Sequence, residues 1–293
     1  MLVCKLKGGL GNQMFQYAAA RALSIRSGRE LAVDAHTGFQ SDKYRRQYAL
    51  GDFAISAPTL TEQEASEAAA HTYIRTRLIR EIENIMKNRF GFGHVGILLG
   101  VISCGDLYLD GYWQSEKYFS DSAAVIRSEF TCTRTLSETS KTLLSQIKGA
   151  ESVSVHIRRK DYPLLCPESY YRTALTLVCR QVDKPAFFFF GDDISWIESL
   201  IAHLQLPFPC LSVQSPGSDL DEFELMRACK HHIIANSTFG WWAAWLSDSV
   251  QGRHHVIIAP ATGWSSKRGP VTDMVPGRWL ALPDPPGRVE MSP

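Results

Sequence analysis

A chain of 293 residues, 45% of them hydrophobic, can bury at least one large core, and its length favours two domains, so disordered and fibrous classes are excluded. Thirty-one basic against 30 acidic residues leave a net charge of +1, so no overall positive field exists to hold nucleic acid, and any phosphate must be gripped locally. The seven cysteines are odd in number, scattered and free of any C-x-x-C pair, a pattern of reduced thiols rather than of a disulfide framework or a zinc site.

The first residues form a strand-like run, Leu2-Val3-Cys4-Lys5-Leu6, where a signal peptide would place a charged segment before an apolar one. Gly8-Gly9-Leu10-Gly11 follows, then an alanine-rich helical pattern over 12–27 and a second strand over 30–33, a β-α-β unit that predicts a parallel sheet. Residues 59–88 carry Glu, Ala, Arg and Ile at helical spacing, with Thr61 and Glu64 set as a capping box. The most apolar window, 90–102, holds four glycines and His94 and falls short of the roughly 20 residues of a spanning helix. The expectation is a cytoplasmic protein with no transmembrane segment, whose membrane contact would be peripheral, at the inner face.

A strand over 107–109 precedes the polar-aromatic segment Gly111 to Phe119 and a helix through Ile126, and a polar helix over 137–147 stops at Gly149. After that glycine the alternation restarts, with strands at 152–157, 186–190, 210–213, 232–235 and 255–258 and helices at 169–181, 196–203, 219–228 and 239–246. The run Ala186 to Phe190 is fully apolar, as suits a strand covered on both faces. The expected fold is α/β, two doubly wound Rossmann-like domains facing a central cleft, residues 1–149 and 150–293. The proline-rich tail from Pro283 reads as a poorly ordered end.

Ligands of open parallel sheets sit beyond the carboxyl ends of the strands, and four such places carry reactive residues. His156-Ile157-Arg158-Arg159-Lys160-Asp161-Tyr162 runs from a strand into three cations, and guanidinium forks bind phosphate oxygens bidentately. The other reading of that run is a solvated loop. Asn236-Ser237-Thr238-Phe239 opens a helix bearing Trp241, Trp242 and Trp245, where exposed N–H groups and the helix dipole make an anion site, or where the polar residues simply cap the helix. Asp192 and Asp193 can accept from the N1–H and N2 amine of guanine, or cap the helix that follows. Gly11-Asn12-Gln13 combine a tight turn with amides suited to sugar hydroxyls. Gly9, Gly11 and Asp34 nearly fit a dinucleotide fingerprint, with Met14 in place of its third glycine.

Asp219-Leu220-Asp221 superficially matches a metal-binding D-x-D, but reads better as a helix start after Ser218. The pairs His231-His232 and His254-His255 point to opposite strand faces and build no ligand set, so no metal is expected.

The segments GGLGNQMFQYAAARAL (8–23), GYWQSEKYF (111–119), VHIRRKDY (155–162), FFGDD (189–193) and ANSTFGWWAAWL (235–246) together resemble the α-1,2-fucosyltransferase family and its relatives that use GDP-fucose, in family order and over most of the chain. The resemblance implies a GT-B fold, with an N-terminal domain for the acceptor and a C-terminal domain for GDP-fucose. It also implies inversion at the sugar and catalysis with no metal or other cofactor. The implied reaction moves L-fucose to the 2-hydroxyl of a terminal β-galactoside, and the implied acceptor is a galactose-containing oligosaccharide or a lipid-linked glycan.

Matched residue by residue, Arg158 resembles the arginine that holds the β-phosphate, supported by His156 and Arg159. Asn236, Ser237, Thr238 and Phe239 fall at the diphosphate, Asp192 or Asp193 at guanine, and Gly11, Asn12 and Gln13 over phosphate and fucose. Asp161 is the nearest acid to the arginines, either as general base or as their salt-bridge partner. Gly191 and Gly240 depart from the family, where serine is frequent, and 59–106 matches no family segment and is where acceptor choice is expected. Two rival readings remain: an NAD(P)-dependent oxidoreductase built on the first β-α-β unit, and a non-catalytic sugar-nucleotide-binding protein.

Overall fold

The computed structural model describes residues 1–70, 106–160, 164–214, 218–248, 255–264 and 273–283. The chain divides into two compact units, Met1–Arg134 and Thr135–Pro293. The division precedes the expected one at Gly149 because the helix ending there belongs to the second unit. Its first residues, Ser137 and Ser140, bond to the buried Asp221 carboxylate of that unit, Ser140 Oγ at 2.9 Å.

In the first unit, β1 (Leu2–Lys5), α1 (Leu10–Ser27), β2 (Leu31–Asp34) and β3 (Leu107–Leu109) form a three-stranded parallel sheet of order β2-β1-β3. Helix α1 ends on Gly28 at φ 63°, the left-handed position at which glycine carries no Cβ penalty, and Arg29 N–H closes back on the Ser24 carbonyl at 3.1 Å. The capping box at 61–64 forms, with the Thr61 N–H on Glu64 at 2.8 Å and the Glu64 N–H on Thr61 Oγ1 at 3.3 Å. Of the helices expected over 59–88, residues 62–70 are helical and the rest lies outside the described residues, as do the apolar window and the tail beyond 283. A short helix, α2 (Ala123–Glu129), completes the unit.

The second unit contains α3 (Glu138–Lys148), β4 (Glu151–Ile157), α4 (Glu168–Gln181), β5 (Pro185–Gly191), α5 (Ile194–Leu204), β6 (Cys210–Ser212), α6 (Asp219–Ala228), β7 (His231–Ile233), α7 (Thr238–Ser247), β8 (Ile257–Pro260) and β9 (Leu280–Leu282). All six strands pair in parallel in the order β6-β5-β4-β7-β8-β9. Numbered within the unit this is 3-2-1-4-5-6, the Rossmann order, with its switch point between β4 and β7. Strand β9 escapes the sequence reading because three residues beside a proline-rich stretch carry no periodicity.

The pleat of β4 sorts its side chains. Val153, Val155 and Ile157 face a core shared with Tyr170, Tyr171, Leu175 and Val178 of α4 and with Phe187 and Phe189 of β5. Ser152, Ser154 and His156 point to the other face, where α7 packs. There Ser154 Oγ and Ser247 Oγ hold the two ring nitrogens of His232 at 2.7 and 2.6 Å, tying β4, β7 and α7 together in the buried interior. Trp241, Trp242 and Trp245 are all buried and in mutual ring contact, so α7 is fixed by packing.

Burial drives the pKa of His232 down to about 3, with His255 and His231 adding to the effect. A basic group whose folded value lies below its unfolded 6.5 contributes stability that is full above 6.5 and lost as pH falls toward 3. Acid unfolding followed by circular dichroism should therefore develop below pH 6.5. His232→Gln, which cannot take up a proton, should show a shallower loss of stability over that window than the parent.

Candidate functional site

The site of the second unit is built on the carboxyl ends of β4, β5 and β7, around the switch point. Strand β4 delivers Arg158, Arg159 and Lys160 just beyond Ile157, and β5, its register partner, delivers Asp192 and Asp193 just beyond Gly191. Asp192 accepts from the backbone N–H of Arg159 at 2.8 Å and of Lys160 at 3.1 Å, and its second oxygen lies 3.1 Å from Arg158 Nη1. The run 158–160 is therefore a shaped loop anchored by one carboxylate and not a solvated charge run. Two charge-assisted backbone bonds on the same group fix where Arg158 begins.

Asp193 caps α5, accepting from the Trp196 N–H at 3.1 Å, and lies 3.8 Å from Arg159 Nε. The Arg159 guanidinium stacks 4.4 Å from the centre of the Trp196 ring, which holds its plane while leaving N–H edges open. Of the two expected guanine-facing acids, Asp192 is thus committed to the loop and Asp193 to a helix cap. Gly191 permits this closeness, since a Cβ there would sit 2.2 Å from the Ile157 carbonyl oxygen.

On the other side of the switch point, Asn236 is buried and its amide nitrogen donates to the Leu164 and Gly263 carbonyls, both at 2.8 Å. It ties loops together. Ser237 is the N-cap residue of α7, but its side chain makes no capping bond, so among the described residues it leaves the first N–H groups of that ten-residue helix uncapped. Thr238 and Phe239 are partly exposed, and the Phe239 ring lies 6.0 Å from the His156 ring, centre to centre.

His156 is buried, with Nδ1 lacking a partner among the described residues, and a Cβ on Gly240 would stand 2.5 Å from that atom. Burial first, then the Arg158 charge, drives its pKa down to about 3, so the imidazole is neutral. The glycine at 240, where the family resemblance leads one to expect serine, is what lets α7 close on this ring.

Sequence reading missed Glu222 as a site residue. This half-buried side chain of α6 makes no hydrogen bond among the described residues. Burial, Asp219 and Asp192 push its carboxyl up to about 7, while Arg158 opposes them. The available signal was the acidic run 219–222 just upstream of Phe223, which reads as a helix start: Ser218 does cap α6 through Asp221 N–H at 3.2 Å. A carboxyl raised on folding contributes most below its unfolded 4.5 and loses that contribution as pH rises through 7. Melting temperatures of Glu222→Gln should therefore gain on the parent between pH 4.5 and 8.

The remaining expected residues lie in the first unit. Gly11 and Gln13 are buried within α1, and the Gln13 amide bonds the Gly8 and Gln47 carbonyls and the Ala49 N–H, at 2.8 to 2.9 Å. Gln13 therefore pins the turn, and Asn12, which accepts from Gln114 at 2.8 Å, is the residue of the three with an open side. Asp34, the ribose acid of the dinucleotide reading, is buried and holds Tyr108, Thr37 and the N–H groups of His36 and Thr37. That arrangement closes it to a cofactor ribose.

Asp161 lies outside the described residues. Among the described residues no group of three His, Cys, Asp or Glu side chains is placed to hold a metal ion, and no helix is long and apolar enough to cross a membrane.

The family model described as glycosyl transferase family 11 matches residues 1–279. An α-1,2-colitosyltransferase of Escherichia coli is 28% identical over 96% of this chain and 99% of its own length. The O-antigen biosynthesis glycosyltransferase WbnK of the same organism is 30% identical over 83% and 89%. The galactoside 2-α-L-fucosyltransferase Sec1 of Mus musculus is 26% identical over 84% of this chain and 64% of its own.

Among solved structures, POFUT1 in complex with GDP superposes with a TM-score of 0.53 at 14% identity, covering 88% of this chain and 97% of that one. Arabidopsis thaliana FUT1 in complex with GDP gives 0.53 at 14%, covering 87% and 69%. These likenesses show the fold, two Rossmann-like α/β units of the GT-B class. The strand order at the switch point, the motifs seated around it and the match along nearly the whole chain make this protein a member of glycosyl transferase family 11, the α-1,2-fucosyltransferase family its sequence resembles.

Proposed function

We propose that this protein is an inverting, metal-independent glycosyltransferase. It would move L-fucose from GDP-β-L-fucose to the 2-hydroxyl of a terminal β-galactoside, forming an α-1,2 linkage. The observation that carries the reading is the Arg158-Asp192 arrangement at the switch point: a guanidinium just beyond the end of β4, set by a carboxylate that also fixes its loop.

In this reading Arg158 takes the β-phosphate and neutralises the charge that grows on GDP as the bond to the sugar breaks. The N–H groups at Thr238 and Phe239 offer a second anion contact from the start of α7, and Arg159, held flat on Trp196, supports the nucleotide. Asp192 and Asp193 anchor the loop and cap the helix, and the acceptor capacity their carboxylates keep beyond those bonds is assigned to guanine N1–H and N2. His156 stays neutral and positions Phe239 and Gly240. Asp161 is assigned the proton of the acceptor hydroxyl, a contribution of about 10²–10⁴ in rate for a positioned base.

A second reading changes the donor. The colitosyltransferase relative spans 99% of its length against this chain, and colitose is fucose lacking one hydroxyl. Competition between GDP-fucose and GDP-colitose, with lactose as acceptor, separates the two. A pocket built to bond that hydroxyl should prefer fucose by about 10⁴ or more, and a preference for colitose would overturn the fucosyl assignment.

A further inference from the structure

At the carboxyl end of the first unit's sheet, Tyr44 and Tyr112 stand 47% and 44% exposed, and no other aromatic side chain among the described residues is exposed. They share one surface. The Arg46 guanidinium lies 4.5 Å from the centre of the Tyr44 ring and close enough to the Tyr112 hydroxyl to act on its ionisation. Arg46 also borders the glycine turn, since a Cβ on Gly9 would lie 3.9 Å from its Nε.

Arg46 and Lys43 have no carboxylate partner among the described residues, whereas nearby Lys7, 5.0 Å from the Tyr112 ring, is paired with Asp110. A guanidinium stacked on a ring keeps its plane and presents its N–H edge, the geometry that takes carboxylate or phosphate. Two of the four non-glycine residues with positive φ among the described residues, Arg45 at 53° and Trp113 at 22°, immediately flank these tyrosines. Such backbone persists where surrounding structure enforces it, and it gathers at ligand sites.

We propose that residues 42–46 and 110–114 form the acceptor-reading surface, with Tyr44 and Tyr112 against sugar rings and Arg46 on an anionic group that the acceptor carries. This rests on the glycosyl-transfer reading above and deepens it, and it places acceptor choice outside 59–106. The anion has two chemical sources, a carboxylate on an acidic sugar or a phosphate ester joining the glycan to a carrier.

The test is direct binding of three β-galactosides to the full chain in the presence of GDP: lactose, lactobionate and lactose 1-phosphate. At least one anion should bind about tenfold more tightly than lactose, and the one preferred identifies the source. Arg46→Gln should erase that preference and leave lactose unchanged. Tyr44→Ala and Tyr112→Ala should weaken all three ligands while GDP affinity and the melting temperature stay at the parent's values. Equal affinity of the parent for the three sugars, binding of none, or a preference that survives Arg46→Gln overturns the proposal. Binding needs no turnover, so preference without fucosyl transfer sinks the functional reading alone, and transfer without preference sinks this one alone.

Discussion

Arg158→Ala should lower turnover by about 10²–10³ while leaving the fold intact. The side chain is 35% exposed beyond the end of β4, and its ion pair with Asp192 joins it to a carboxylate that keeps two backbone partners without it. An exposed or half-exposed pair is worth about 1 kcal/mol or less, so the melting temperature should move little. A preorganised guanidinium facing a leaving diphosphate is worth several times that in the transition state. Stopped-time measurement of GDP release beside a melting curve decides between these effects. Equal loss of stability and activity would make the residue structural, and parental activity would remove Arg158 from the catalytic arrangement.

Asp192→Ala should cost nearly as much, about 10²-fold, through Arg158 and not through contact with the sugar. Removing the carboxylate releases the Arg159 and Lys160 N–H groups as well as the guanidinium. A displacement of about 1 Å in a catalytic group can cost 10² in rate. Because both changes act on one arrangement, the double variant should be little worse than Arg158→Ala alone, a non-additivity that a mutant cycle reads directly. Asp192→Asn keeps an acceptor oxygen for the loop and should fall between parent and Ala. Fully additive losses would show that Asp192 acts on the substrate by itself.

Much of this site was legible because strand ends and motif positions coincide. His156 to Lys160 follows an alternating run, and the fully apolar Ala186 to Phe190 is a buried parallel strand whose end had to carry Asp192 and Asp193 beside it. What was not legible is how polar groups divide their work once folded. Gln13 and Asn236 looked like ligand amides, yet their bonds run to carbonyls 34 and 72 residues away in sequence, which no local pattern reveals.

The same blindness hid Glu222, whose carboxyl is raised first by burial, which no local pattern reveals, then by Asp219 and by Asp192 arriving from β5, with Arg158 opposing them. The unit boundary slipped from Gly149 to Thr135 because a helix-ending glycine marks where a helix stops, not which core the helix joins. Tyr112 stands in the polar-aromatic segment 111–119 but Tyr44 stands in no motif, and the two become a pair only when β1, β3 and the loop at 42–46 meet at one sheet end.

The most direct test of the account is the product formed from GDP-β-L-fucose and lactose in the presence of EDTA, with linkage and anomer assigned by NMR. The proposed function predicts an α-linked fucose on the galactose 2-hydroxyl, one GDP released per sugar transferred, and a rate that EDTA does not change. A β-linked product, transfer to another hydroxyl, or activity abolished by EDTA and restored by a divalent cation would contradict it.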